Sequence, residues 1–174
     1  MFDVFTLDYD AKSYALLVTD LGLGSGCAFL IRTEDDRITG VACFTAYVVR
    51  YAQYVGVHRK IICDRDSVFS SPTATQLWTD CGIERATTAP NAHFSLGQAE
   101  RRSGVCRWTV DRIRAAAPPN SKEVWELVLA TLNSQLANEA DAGGMTPSER
   151  TLGWNTSILR NIIRRLRIRK NTAQ

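Results

Sequence analysis

The chain opens on runs of β-branched, aromatic and aliphatic residues, and its later apolar positions recur with helical spacing. From Asp3 to Tyr9 and from Tyr14 to Asp20 the residues are largely β-branched, aromatic or aliphatic, with the turn-forming stretch DYDAKS between them. This pattern predicts a β-hairpin. LGLGSG ends the second strand, and Cys27 to Arg32 (CAFLIR) supplies a third. Gly22, Gly24 and Gly26 look superficially like a phosphate loop, but a dinucleotide fingerprint needs its last glycine one place later and a helix after it. A strand follows here, so the stretch reads as a turn. Between Thr39 and Tyr54, residues Val41, Phe44, Ala46, Val48, Val49 and Ala52 fall at spacings of three and four, which predicts a helix that Gly56 closes. Arg59 to Cys63 (RKIIC) is a short buried strand delivering Asp64 at its end. Ser71-Pro72 reads as an N-cap with proline in the first turn and Gly82 as a C-terminal glycine, framing a short helix through Leu77 and Trp78. A strand near Glu84 to Thr88 follows, then the loop APNAHFSLG, then a helix through Glu100 to about Arg114 that stops before Pro118-Pro119. Asn120 with Glu123 predicts a capping box for the long helix VWELVLATLNSQLA, and Thr146-Pro147-Ser148-Glu149 repeats the signature for a last short helix.

Three opening strands suggest an antiparallel meander, and the strand-helix-strand passages that follow suggest parallel additions. Together they predict an α/β fold: a five-stranded mixed sheet flanked by helices. The 174 residues suffice for one domain with a real core. No apolar run approaches the roughly 18 residues of a membrane span, and Met1 is followed by a strand-like acidic segment instead of a basic, apolar signal. A secreted or membrane-embedded protein is therefore not expected. Cys27, Cys43, Cys63, Cys81 and Cys106 are scattered without a C-x-x-C pair, mostly in apolar stretches, and read as reduced, buried thiols. His58 and His93 fit no common zinc spacing with Cys63 and Cys81. The net charge of +3 is a mild bias, but its distribution is uneven. Arg160, Arg164, Arg165, Arg167, Arg169 and Lys170 crowd the tail, while Arg101, Arg102, Arg107, Arg112 and Arg114 follow Glu100; both groups suit a polyanion.

The candidate chemistry is acidic. Asp8 is expected at the end of the first strand, Asp64 just beyond the fourth, and Glu100 at the start of the helix after the loop. Hard divalent cations prefer oxygen ligands and keep several waters, so a few carboxylates with open positions suit phosphoryl transfer. Two such ions about 3.5–4 Å apart stabilise both the attacking and the leaving oxygen of an in-line displacement. Eighteen acidic residues will nevertheless supply three at some suggestive spacing, so carboxylates alone leave a chance arrangement open. Asp3 near the strand start, Asp10 in the hairpin turn, and Asp35 and Asp36 in a polar loop read more simply as solvated turn residues.

Local context narrows the choice. IICDRDSVFSS resembles the second-aspartate motif of integrase catalytic cores, where a strand runs into Asp-Asn-Gly-x-x-Phe, and APNAHFSLGQAERR resembles their glutamate motif. Between Asp64 and Glu100 lie 35 residues, the spacing for which these enzymes of retroviruses and long-terminal-repeat retrotransposons are called D,D-35-E. FTLDYDAKSYALLVTD is similar to the family's opening hairpin, with Asp8 in the metal-ligand place and Asp20 in that of a frequent non-catalytic aspartate. MTPSERTLGW is similar to the segment following the core in the retrotransposons. The resemblance spans about Asp3 to Trp154, giving a core over residues 1–154 and a basic tail over 155–174.

This resemblance implies a ribonuclease H-like fold and DNA integration. Asp8, Asp64 and Glu100 would hold two Mg²⁺ or Mn²⁺ ions, Asp8 bridging both, for trimming of element ends and attack of the freed 3′-hydroxyl on target DNA. It also implies phosphate contacts for Arg101, Arg107 and Arg114, a homodimer or higher multimer, and an intracellular site, the nucleus of a host cell or a retroelement particle. The helices Thr39–Tyr54 and Val124–Ala137 are the expected contact surfaces, through residues such as Trp125 or Tyr51. Arg65 and Asp66 depart from the family's Asn-Gly, with Asp66 an extra ligand or a turn residue. On helical spacing Glu100, Arg107, Asp111 and Arg114 share a stripe, so a surface ladder of Arg and Asp competes with the DNA-contact reading. Trp108 reads as core and His93 as a polar loop group. Two rival functions stay open: a decayed or domesticated core that only multimerises and binds nucleic acid, and a ribonuclease H-type nuclease.

Overall fold

Strand β1 (Phe2–Asp8) pairs antiparallel with β2 (Ser13–Asp20), and β2 with β3 (Ser25–Ile31). On the other side of β1, β4 (Lys60–Cys63) and β5 (Glu84–Thr87) add in parallel, giving a five-stranded mixed sheet in the order β3-β2-β1-β4-β5. A computed structural model of the chain describes residues 1–8, 12–22, 25–33, 37–63, 67–87, 97–138 and 146–152. Arg65, Asp66, His93, the 88–96 loop and the 155–174 tail lie outside these residues, as does Asp64.

Strand alternation assigns each side chain to a face. Phe2, Leu16, Val18, Ile31, Ile61 and Cys63 turn to one core; Phe5, Leu7, Ala15, Leu17, Ala28 and Leu30 turn to the other. The first face is covered by helix α1 (Gly40–Tyr47), the π-helical turn Val48–Ala52, the short α2 (Gln53–Val55), α3 (Ser67–Ser70) and α4 (Pro72–Asp80). Thr39 caps this run, accepting from the Ala42 amide at 3.1 Å, and Gly56 ends it at φ 90°, a left-handed angle that favours glycine. Gly40 lets α1 lie against α4: a Cβ there would sit 2.4 Å from the Ala74 Cβ and from the Val68 carbonyl.

The second face is covered by α5 (Gly97–Ala116) and α6 (Lys122–Asn138), which contribute Cys106, Val110, Trp125, Leu129, Leu132 and Leu136. Ser121, not the expected Asn120, caps α6, its hydroxyl accepting from the Val124 amide at 3.4 Å. At the sheet edge Asn133 reaches across to β3: its Nδ2 donates to the Ala28 carbonyl at 2.8 Å and its Oδ1 accepts from the Ala28 amide at 2.6 Å. Helix α7 (Pro147–Leu152) opens with the expected capping box, Thr146 N–H donating to Glu149 Oε2 at 2.7 Å and Glu149 N–H to Thr146 Oγ1 at 3.2 Å.

Some expectations change. Trp108 is 61% exposed and lies under the Arg112 guanidinium at 4.9 Å, so it is a surface ring and not core. Trp125 and Tyr51, expected to remain available for a contact between copies, are buried; Val41, Val49, Tyr54, Val124 and Leu127 are exposed apolar side chains there. Cys81 is exposed, while Cys43, Cys63 and Cys106 are buried and all five thiols are unbridged. No helix of the described residues is long and apolar enough to cross a membrane.

Candidate active site

The pairing of β1 with β4 sets which carboxylate of the first strand lies level with the end of β4. Phe2 stands opposite Cys63, the last residue of β4, so β4 ends beside the beginning of β1. Asp8 lies six residues beyond Phe2, opposite Ser13 at the hairpin end and past a register irregularity after Thr6. At about 3.3 Å per residue this puts Asp8 roughly 20 Å along the strand from the end of β4. Asp8 was expected to converge with the end of β4; the stagger of the two strands keeps them apart. Asp3, next to Phe2, is at the right level, and by alternation it shares the face of Phe5 and Leu7, towards α5.

Asp3 does meet α5. Arg107 Nη2 donates to Asp3 Oδ1 at 2.8 Å and to Oδ2 at 3.0 Å, and the buried Ser103 hydroxyl donates to Oδ2. Arg107 Nε in turn donates to Ser103 Oγ at 3.3 Å, which closes a three-residue network. The Asp3 side chain is 18% exposed and the Arg107 side chain 52%, so the carboxylate sits in a notch while the guanidinium faces water on its outer side.

Glu100 lies in the first turn of the same helix and is exposed. Its spacing of three from Ser103 and seven from Arg107 places it on their stripe, one turn and two turns away. The structure thus brings Asp3 to the Glu100 face of α5 and leaves Asp8 at the opposite end of β1. Among the described residues no three His, Cys, Asp or Glu side chains converge as a metal site. Asp64 follows Cys63 directly in the sequence but lies outside those residues.

The basic residues divide. Arg101 is exposed in the first turns of α5, and Arg107 binds Asp3 instead of joining a ladder with Asp111. Arg114 is held by Asp111, three residues before it, so the surface pair competing with DNA contact exists at that position. Arg102 turns inward, with Cδ 3.2 Å from where a Cβ on Gly26 would lie, and its buried Nη1 has no hydrogen-bond partner among the described residues.

Sequence reasoning missed Asp3 and Ser103. The signal for Asp3 was in the alternation of β1, where Asp3 is the polar member of the Phe5 and Leu7 face. Asp20 carried a second signal. In a hairpin the end of β2 lies beside the start of β1, as the Thr19 amide bonding the Met1 carbonyl at 2.8 Å shows, so Asp20 marks Asp3's end of the sheet and not Asp8's. Asp20 itself accepts from His58 at 3.2 Å, and His58 is tied to the Tyr47 hydroxyl at 3.0 Å, a satisfied polar chain on the first face.

No protein-family model and no curated protein matches the chain. Solved structures do. The HTLV-2 integrase catalytic core domain in complex with magnesium, in its trimeric form, is 17% identical with a TM-score of 0.62, over 86% of this chain and 93% of that one. The catalytic core domain of BIV integrase is 21% identical with a TM-score of 0.62, over 87% and 91%. The simian T-cell lymphotropic virus intasome, in complex with the PP2A regulatory subunit B56 gamma, has a chain 16% identical with a TM-score of 0.68, over 86% of this chain and 52% of that one. The fold of this chain is that of a retroviral integrase catalytic core, a ribonuclease H-like fold.

Proposed function

We propose that the chain is the catalytic core of a DNA-integrating polynucleotidyl transferase, in which Asp3, Asp64 and Glu100 would hold Mg²⁺ or Mn²⁺. The observation that carries this reading is the docking of Asp3 on the Glu100 stripe of α5, at the level where β4 ends. The 35-residue spacing from Asp64 to Glu100 supports it. So does the fold, shared with a core solved with magnesium and with a chain of an intasome.

The donor set fits a hard cation. Asp3 and Glu100 offer carboxylate oxygens, and Asp3 already attracts a positive group in Arg107, a stand-in for the charge such an ion would bring. Divalent ions held there would supply Lewis-acid polarisation and charge neutralisation at a phosphodiester. The chain's own residues supply the placement. Asp3 is fixed by a strand paired on both sides, Ser103 orients its carboxylate, and Glu100 stands on a 20-residue helix anchored through Cys106 and Val110. Exposed Arg101 and the outer side of Arg107 would meet phosphates. The chain would work as a multimer, as the dimeric and trimeric forms of the HTLV-2 core suggest.

A strand-transfer assay with a DNA end, a target duplex and Mn²⁺ tests the reading. Asp3→Asn should abolish joining, whereas Asp8→Asn should leave it within a few-fold of the parent. The reverse pattern would return the ligand role to Asp8. An inactive parent chain that still binds DNA would favour the decayed core instead, and cleavage of RNA–DNA hybrid alone would favour the nuclease.

A further inference from the structure

Building on the assignment of Asp3 as a metal-holding carboxylate, we infer that Arg107 is a displaceable counter-ion: it occupies Asp3 until a divalent cation takes its place, and its guanidinium then turns outward to DNA phosphate. Both Asp3 oxygens are engaged, by Arg107 Nη2 at 2.8 and 3.0 Å and by the Ser103 hydroxyl. A metal ion needs one of those oxygens at about 2.0–2.1 Å. A guanidinium hydrogen-bonded to the same oxygen would then lie within a few ångström of a dication in a half-buried notch, where like charges repel strongly. Ser103 tolerates the ion, being neutral; Arg107 does not.

The exit is built in. Asp3 is sheltered on the face of the sheet, but the Arg107 side chain is 52% exposed, on a flexible stem that reaches solvent without any change in α5. A guanidinium released from a carboxylate retains its planar fork, which matches a phosphate as well as it matched the carboxylate. Neighbouring arginines are placed differently, Arg114 on Asp111 and Arg102 turned towards Gly26. Metal binding and DNA binding would therefore favour each other through one side chain, and by linkage the coupling is reciprocal.

Mn²⁺ titration of the purified chain, followed by calorimetry or by loss of the free-ion spin-resonance signal, tests this without any turnover. Arg107→Gln should bind Mn²⁺ at least about tenfold more tightly than the parent, and Arg107→Lys should fall between them. Fluorescence anisotropy with a short duplex should show the parent gaining DNA affinity on addition of Mn²⁺, and Arg107→Gln losing that gain. Equal Mn²⁺ affinity in the parent and Arg107→Gln, with Asp3→Asn abolishing binding in both, would overturn the counter-ion inference while leaving the metal site in place. Absence of Mn²⁺ binding in every variant, or binding indifferent to Asp3→Asn, would overturn the metal reading itself and this inference with it. If Arg107→Gln failed to fold, Arg107→Lys against the parent makes the same comparison: an unchanged Kd there overturns the inference, and a lowered one supports it.

Discussion

The two faces of the sheet are packed by different means. On the Phe2 face, aromatic rings interlock: Phe2 meets Tyr47 at 4.9 Å between centroids and Trp78 at 5.6 Å, and Phe44 meets Trp78 edge-on at 4.7 Å. Three of its polar groups, Tyr47, His58 and Asp20, are tied in a chain. On the Phe5 face the packing is mostly aliphatic, and its polar notch, Asp3 with Ser103 and Arg107, opens to water. One side of the sheet is closed with tilted rings worth about 0.5–1.5 kcal/mol per pair beyond their burial. The other holds a partly sheltered cluster of charges, Asp3 with Arg107 and Ser103. The difference sets an aromatic, closed face against one whose core carries a polar notch open to water.

That contrast can be broken experimentally. Trp78→Ala should have the largest effect on stability, about 3–5 kcal/mol by denaturant titration, because a fully buried ring leaves a cavity. Asp3→Asn should melt within a few degrees of the parent in the absence of metal while abolishing strand transfer. A large drop in melting temperature for Asp3→Asn would make the notch structural and erase the contrast.

Intermediate effects sharpen the comparison. Asn133→Ala should cost about 2 kcal/mol, since it leaves both the amide and the carbonyl of Ala28 without their side-chain partner. Alkali should then distinguish the faces. Burial pushes the Cys106 thiol up to about 11 and the Tyr51 phenol up to about 12. Each group is neutral when protonated and holds its proton more tightly when folded, so its contribution is intact below its ordinary value of 9.0 or 10.0 and is lost as pH rises towards the folded value. Stability measured against pH should begin to fall above about pH 9 through Cys106 on the Phe5 face, and above about pH 10 through Tyr51 on the Phe2 face. Cys106→Ala should shrink the first decline and Tyr51→Phe the second, with Cys27 and Tyr47, whose protons burial also tightens, keeping the remainder. If neither variant changes its part of the curve, the two thiol and phenol environments are not those described. The smallest effect belongs to Thr146→Ala, about 1 kcal/mol from loss of the α7 cap, on neither face's core.

Much of this molecule was readable from its residues. The apolar runs of β1 to β3, the caps at Ser71 and Thr146, and the closing Gly56 each act within a few residues, and each is found where local chemistry puts it. Glu100 at the head of α5 with Arg107 on its stripe follows from helical spacing alone. Asp3 was different, because its role depends on how far β4 slides along β1. Register between strands nearly sixty residues apart is set by packing that no local pattern records. The π-helical turn at Val48–Ala52 was equally hidden, since VVRYA carries apolar residues that suit either winding. The partner of Arg107 was a question of tertiary structure: the sequence offered Asp111, four residues away, and the fold offered Asp3.

The Asn133 bridge to Ala28 has a consequence for how copies of this chain meet. β3 is an outer strand of the sheet, and an outer strand normally presents unsatisfied amides and carbonyls that can template another chain and seed aggregation. Here a side chain of the same molecule already occupies one such donor and acceptor, midway along the strand. An incoming strand would have to evict Asn133 before it could continue the ladder. Self-templated growth is thereby disfavoured on this border of the sheet, the other border being β5.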